Sequence, residues 1–366
     1  MEISSFTVIL TEECNFRCGY CQQEHRGTRL DSALLSRALR FFEPYFAREF
    51  AVGFYGGEPL LAVSEIKQAV EQLERSSEKR HIRGGYSLTT NGSLLNDEIL
   101  DFLDRHAFSL LLSFDGLAQD IARKKGSFDF LVSIIPKILG RPRISLETNS
   151  VFTPETVGYL SDSIKLIHQL GVRKTNVAFR LGSPWKASSV LLLKRELARV
   201  RKYSLSRFKD AAELPWAELG EEREKGVYGC PAGLNKMALA ADGTLWGCFL
   251  FPQYFGGSRI SAEFQEFCFG GVDVFIKNHR QIYPRIMENY SALRMDRFST
   301  PDRLCAFCDE VEECWICPVA AAQSSGRIGL IPPSICQGAR TWRKEQKLFL
   351  KQLERAIQYE KSAAEG

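Results

Sequence analysis

The chain has 366 residues, of which 45% are hydrophobic and 25% charged, with a formal net charge of +4 and eleven cysteines. That length exceeds one compact core and suits a large α/β domain with a second module, and no apolar run approaches the roughly 18 residues that span a bilayer, which excludes a membrane protein. The basic residues are scattered along helical stretches such as "RTWRKEQK", which reads as solvated helix faces and gives no support to nucleic-acid binding.

The chain starts without the charged segment, apolar stretch and cleavage site of a signal peptide, so a reducing cytoplasm is expected, and the cysteines are ligands or buried thiols rather than disulfides. Short runs rich in β-branched residues then predict six strands: "FTVIL" (6–10), "AVGFYG" (51–56), "YSLTT" (86–90), "SLLLSFD" (109–115), "ISLETNSVF" (144–152) and "KTNVAF" (174–179). Between them apolar residues recur at helical spacing, as at Ile66, Val70 and Leu73, or Leu160, Ile164 and Ile167. The last of these helices is expected to start with Thr153 at its N-cap and Pro154 at its first position. Six βα units in series predict an α/β fold with a parallel sheet and outer helices, open or as a partial barrel. In such folds the chemistry sits at the C-terminal ends of the strands. The barrel is expected over residues 1–210. Residues 211–226 are charged and turn-prone and read as a linker. A small cysteine-rich domain with weak periodicity follows over 227–340, and such domains are often held by metals. A C-terminal amphipathic helix is expected over 341–366, with Leu348, Leu350, Leu353 and Ile357 on its apolar face.

The loop after the first strand reads "CNFRCGYC", with Cys14, Cys18 and Cys21 in C-x3-C-x2-C spacing. Three thiolates on one loop can converge on one metal centre, and soft ligands select zinc, cuprous copper or iron–sulfur clusters. A structural zinc would want a fourth ligand nearby, for which His25 is the available residue. The alternative is a 4Fe–4S cluster with one iron left open.

With "GGEP" at 56–59 after the second strand, this motif resembles the radical S-adenosylmethionine (radical SAM) enzymes. The resemblance implies a partial (β/α)6 barrel, with the open iron chelated by S-adenosylmethionine and a 5′-deoxyadenosyl radical that takes a hydrogen atom from substrate. Gly56 and Gly57 let the backbone approach a ligand, and Glu58, ahead of Pro59, is expected to offer acceptors to its ammonium. By the same resemblance Tyr20 lies near the adenine. Asn91 in "TTNG" and Ser113 in "SFDG", at the ends of the third and fourth strands, contact the cofactor.

The later cysteines, Cys230, Cys248, Cys305, Cys308, Cys314, Cys317 and Cys336, permit a pair of zinc sites by spacing alone. They also resemble the SPASM domain appended to many radical SAM enzymes, which implies two auxiliary 4Fe–4S clusters and three clusters in all. Carried over by motif position, Cys305, Cys308, Cys314 and Cys336 hold the outer cluster, and Cys230, Cys248 and Cys317 the inner one. The chain departs from that pattern in having two residues rather than three between Cys314 and Cys317, and in giving the inner cluster three ligands. Cys268, in "QEFCFGGV", is the remaining cysteine and reads as a packing thiol.

His25, His81, His106, His168 and His279 are isolated and read as surface or satisfied histidines, and Arg180 either faces the barrel mouth or lies on the surface. The resemblance implies a maturase acting on a precursor peptide or protein: thioether or carbon–carbon crosslinking, or epimerisation. Sulfatase maturases share the architecture but carry Asp after the cysteine matching Cys248, where this chain has Phe249. Oxidation of Cys or Ser is therefore the second enzyme reading. A small-molecule radical reaction and a non-catalytic iron–sulfur electron carrier are the further alternatives. Partners implied are an electron donor such as a flavodoxin or ferredoxin and, with the first strand so near residue 1, a separate peptide-recognition protein.

Overall fold

The computed structural model describes residues 1–180, 185–207, 216–220, 224–255 and 261–365. All six expected strands are present: β1 (Ile3–Thr11), β2 (Phe46–Gly56), β3 (Arg83–Thr90), β4 (Ser109–Ser113), β5 (Ser145–Phe152) and β6 (Lys174–Phe179). They are parallel neighbours in chain order, the arrangement of an open (β/α)6 barrel. One row of the register runs Val8, Phe54, Leu88, Leu110, Leu146 across five strands. All five are buried, and full burial of such side chains stabilises by roughly 1.5–3 kcal/mol each.

The helices that cover this sheet follow from apolar spacing and caps. Helix Ser32–Phe42 buries Leu35, Ala38, Leu39 and Phe42, and the Asp31 side chain accepts from the Leu34 N–H at 2.7 Å. Helix Asp97–Arg105 starts at Asn96, which accepts from the Ile99 N–H at 2.9 Å. Helix Leu160–Gln169 buries Leu160, Ile164 and Ile167 as the spacing predicts, but its entry differs. Thr153 lies in a turn whose carbonyl accepts from Thr156 and Val157, and a 3-10 turn Val157–Tyr159 leads into the helix.

Beyond the barrel, the sheet does not stop. Strand β7 (Lys236–Leu239) pairs parallel with β1, Phe6 against Met237 and Val8 against Leu239, and the antiparallel β8 (Thr244–Trp246) and β9 (Cys268–Gly271) extend it. The nine-stranded order is β6-β5-β4-β3-β2-β1-β7-β8-β9. Barrel and cysteine-rich unit therefore share one sheet and one core, in which Phe42 stacks on Phe275 and Phe41 meets it edge-on. Helix Val272–Ser291 supplies Phe275. The sequence reading has no helix there: Pro284 interrupts it, although Val272, Phe275, Ile286 and Tyr290 recur at helical spacing.

Of the expected linker, residues 211–215 and 221–223 lie outside the described residues, and Ala217–Gly220 forms one helical turn. The terminal helix begins at Pro333, eight residues before the expected 341, and runs to Glu365. Its buried seam is Phe349 and Leu353, packed with Leu197 and Val200 of helix Ala187–Arg207, with the half-buried Trp342 stacked on Trp216 at 4.8 Å. Leu348 points outward, and the side chain of Ile357 lies outside the described residues. Among the described residues no helix is long and apolar enough to cross a membrane.

Candidate active site

The loop carrying Cys14, Cys18 and Cys21 springs from the C-terminal end of β1 and folds back so that Leu30 N–H donates to Leu10 O at 2.9 Å. The end of β2 clasps it. Gly57 N–H donates to Thr11 O and Glu58 N–H to Glu13 O, both at 2.8 Å. A Cβ on Gly57 would sit 2.1 Å from Glu13 O, and one on Gly56 2.4 Å from Thr11 O, so only glycine lets the two segments meet. From β3, Asn91 Nδ2 donates to Asn15 Oδ1 at 2.8 Å and approaches Cys14 Sγ at 3.8 Å, and the Phe16 N–H donates to the same sulfur at 3.4 Å. Burial pushes the Cys18 thiol up to about 11, with Cys21 and Cys14 adding to the shift and Arg123 opposing it. These three thiols are thus mutual electrostatic neighbours.

Below the loop lies a buried ionic group. Arg123 donates to both oxygens of Asp115 at 2.9 Å and to Asn149 O at 3.0 Å, and Tyr20 Oη donates to Asp115 Oδ2 at 2.8 Å. Asp115 is fully buried and the Arg123 side chain 6% exposed. The guanidinium also lies over the Tyr20 ring, 5.3 Å from its centroid. Tyr20, the residue preceding Cys21, is fixed at both ring and hydroxyl.

All of this opens onto one cavity of about 510 Å³, lined by Cys14, Cys18, Cys21, Tyr20, Asn91 and Ser113 from the barrel and by Tyr254, Trp315 and Cys317 from the second unit. That size lies within the range of small-molecule sites. Behind this wall, Cys230, Cys248 and Cys317 form a second group. Burial pushes Cys248 up to about 12, with Cys317 and Cys230 adding to it. The third group, Cys305, Cys308, Cys314 and Cys336, lines its own small cavity with Arg303, Arg340 and Arg343. Burial pushes Cys305 up to about 11, followed by its three companions. Among the described residues no three His, Cys, Asp or Glu side chains come close enough together to hold one metal ion. The three sets are soft thiol donors, of the kind that hold zinc or iron–sulfur clusters.

Residues 8–167 match the family model described as the Radical SAM superfamily. The chain carries a radical SAM domain. Over 109 residues it is 33% identical to the serine-type anaerobic sulfatase-maturating enzyme of Klebsiella aerogenes, covering 28% of this chain and 27% of that protein. The chain spans about half the length of the curated relatives it matches. In three dimensions it is similar to native anSMEcpe with bound AdoMet, with a TM-score of 0.72 at 15% identity over 97% of this chain and 99% of that one. It is also similar to Streptococcus suis SuiB bound to the precursor peptide SuiA, with a TM-score of 0.58 at 18% identity over 92% and 76%. The fold of the second unit is thus shared along with that of the radical SAM domain.

Against this geometry, one expectation needs correction. Glu58 does not face the cavity: it is fully buried and accepts from Thr90 Oγ1 at 2.7 Å, Asn91 N–H at 2.8 Å and Leu60 N–H at 3.0 Å. Its carboxylate ties β2 to the end of β3. Pro59, buried at the start of the 3-10 turn Pro59–Ala62, serves the same local structure. Arg180 lines the cavity, donates to Gly19 O at 3.0 Å and has a buried Nε with no hydrogen-bond partner among the described residues. His25 lines the cavity as well, whereas His106 bonds Glu74, His168 bonds Tyr203 and His279 bonds Tyr45.

Sequence reasoning missed Arg123, which no motif marks, and Asp115, although "SFDG" contains it. It also missed Tyr55 and Tyr254, which line the cavity between the first and second cysteine groups. Cys268 stands apart on β9, accepting from Gly270 N–H at 3.3 Å. Its thiol is pushed up to about 11 by burial, and Asp242 adds to the shift. The Cys268→Ala variant is therefore expected to keep the iron content and visible spectrum of the parent. Loss of four irons on anaerobic reconstitution would make it a ligand of the inner group.

Proposed function

We propose that the chain is a radical SAM enzyme that takes a hydrogen atom from a peptide or protein during post-translational modification. The carrying observation is the single cavity that joins Cys14, Cys18 and Cys21 to Cys317 of the inner group. A substrate held there would lie between the radical-generating site and an auxiliary cluster. Cys14, Cys18 and Cys21 would hold the first 4Fe–4S cluster, Cys230, Cys248 and Cys317 the inner one, and Cys305, Cys308, Cys314 and Cys336 the outer one. S-adenosylmethionine bound at the first cluster supplies the hydrogen-abstracting radical. For its part, the chain orients the cofactor: Tyr20, locked by Asp115 and Arg123, presents a fixed ring to the cavity, and the strand ends at Gly56, Gly57, Asn91 and Ser113 form the adjoining wall.

A peptide substrate is supported by two structural neighbours: anSMEcpe with bound AdoMet and the Kp18Cys peptide, and SuiB bound to its precursor peptide SuiA. Crosslinking, as a thioether or carbon–carbon bond, or epimerisation fits better than oxidation to an aldehyde. The position after Cys248 is Phe249, whose ring packs on Tyr55 at 4.9 Å, so no carboxylate stands there to accept a proton. Oxidation of Cys or Ser remains the second reading because of the likeness to the sulfatase-maturating enzyme. A flavodoxin or ferredoxin would serve as electron donor, and a separate recognition protein or the cavity mouth itself would capture the peptide.

The test is anaerobic turnover of the reconstituted protein with reductant, S-adenosylmethionine and peptides encoded beside its gene. We expect 5′-deoxyadenosine together with a peptide that has lost two hydrogens and gained a crosslink, or with one epimerised at unchanged mass. A product trapped by hydrazine as an aldehyde would move the assignment to the oxidation reading. Turnover only on a free small molecule would overturn the peptide substrate.

A further inference from the structure

The two groups of cysteines in the second unit differ in what donates to their sulfurs. In the inner group the donors are neutral: Tyr228 Oη and Ala232 N–H to Cys230, Leu250 N–H to Cys248, and Val319 and Ala320 N–H to Cys317. Lys236 acts on Cys230 and Cys248 only through space. In the outer group Cys314 takes one neutral donor, the Ile316 N–H, and the side-chain donors are guanidinium groups. Arg340 Nη2 donates to Cys308 Sγ at 3.2 Å and Arg303 Nη2 to the same sulfur at 3.6 Å. Arg343 hydrogen-bonds Cys314. Glu310 bridges Arg340, at 3.6 Å, and Arg343 from the far side, which leaves an excess of positive charge against the thiolates.

A cluster that gains an electron gains negative charge, so hydrogen bonds and positive charge at its sulfurs stabilise the reduced form and raise the potential. By ligand charge alone the order would be the reverse, since four thiolates in the outer group carry more negative charge than three in the inner one. We propose that Arg340 and Arg303, assisted by Arg343, hold the outer cluster at a higher reduction potential than the inner cluster and so make it the electron sink of the pair. With both clusters in place, one electron would pass from the inner to the outer, with no bond broken and no proton moved. The placement agrees with that direction. Cys317 of the inner group lines the substrate cavity, whereas the outer group lies under the surface, with Phe307 77% and Leu304 51% exposed between and beside its cysteines. The three arginines are positioning residues: they act through the cluster and touch no substrate.

This inference rests on the auxiliary-cluster part of the proposed function and not on the peptide substrate. Its test is a potentiometric titration of the full-length, iron-loaded protein followed by electron paramagnetic resonance, with the outer signal identified by its loss in Cys336→Ala. The outer cluster is expected to be reduced at a higher potential than the inner one. Arg340→Gln is expected to lower the outer potential and leave the inner one in place, at full iron content. Arg303→Gln, at an exposed position where folding is not at stake, is expected to lower it by less, in keeping with the longer contact. Arg340→Lys, which keeps the charge and loses the planar fork, is expected to fall between Arg340→Gln and the parent. An unmoved outer potential in both glutamine variants at full iron content overturns the inference alone, as does a parent protein whose inner cluster has the higher potential. An outer site filled with zinc overturns the inference together with the cluster assignment, and the iron count shows it before any potential is read.

Discussion

Replacing Cys14, Cys18 and Cys21 together by alanine is expected to lower the iron bound after anaerobic reconstitution from about 12 to about 8 per chain, counting four irons per cluster, and to abolish 5′-deoxyadenosine formation. The three thiols occupy one loop, are mutual electrostatic neighbours and line the same cavity, so no other cysteine group can replace them. The outer group lines a separate cavity. The remaining iron should therefore keep its charge-transfer absorbance. Iron analysis and chromatography of the quenched reaction check both parts. Retention of all the iron, or 5′-deoxyadenosine at the parent rate, would refute the assignment of this loop.

Loss of the Asp115 carboxylate is the second large effect. Asp115→Ala leaves the Arg123 guanidinium buried without its carboxylate, and breaking a buried pair from one side costs about 3–5 kcal/mol. Asp115 is fully buried and receives four hydrogen bonds on its two oxygens, from Arg123 twice, Tyr20 and Val151 N–H. The variant should therefore unfold at a clearly lower temperature and, because Tyr20 loses its anchor, bind S-adenosylmethionine more weakly. Asp97→Ala is the control. Its carboxylate is 66% exposed and pairs with Arg141 at 2.9 Å, an exposed contact of the kind worth little. Thermal unfolding of the iron-loaded proteins separates the two, and equal midpoints for Asp115→Ala and the parent would exclude the structural role.

Much of the barrel was legible because its signals are local. Alternation and β-branching marked β1 to β6, helical spacing marked Ile66, Val70 and Leu73, and the six strands came in the expected order. The cysteine groups were legible for a different reason: thiols are scarce, and their spacing on short loops limits what they can reach. Where local signal was weak the reading failed. Helix Val272–Ser291 is interrupted by Pro284 although Val272, Phe275, Ile286 and Tyr290 share its buried face, and the first turn of the terminal helix, which carries Cys336, falls inside the cysteine-rich domain expected over 227–340.

By itself, then, the sequence determined the βα series and the loop that bears Cys14, Cys18 and Cys21, while the division of the later cysteines into sets came from the resemblance to the SPASM domain. Tertiary structure decided the rest. Only the pairing of β7 with β1 fuses the second unit to the barrel sheet, and a strand of four residues carries no mark of its partner in sequence. Only the fold turns Glu58 inward, where Thr90 Oγ1 and two backbone N–H groups take its carboxylate. The cavity that joins Cys21 to Cys317, and the guanidinium groups on Cys308, bring together residues up to several hundred positions apart. Such contacts depend on where whole elements pack, because a side chain's charge or hydrogen bond acts over a few ångströms of space and is blind to separation along the chain.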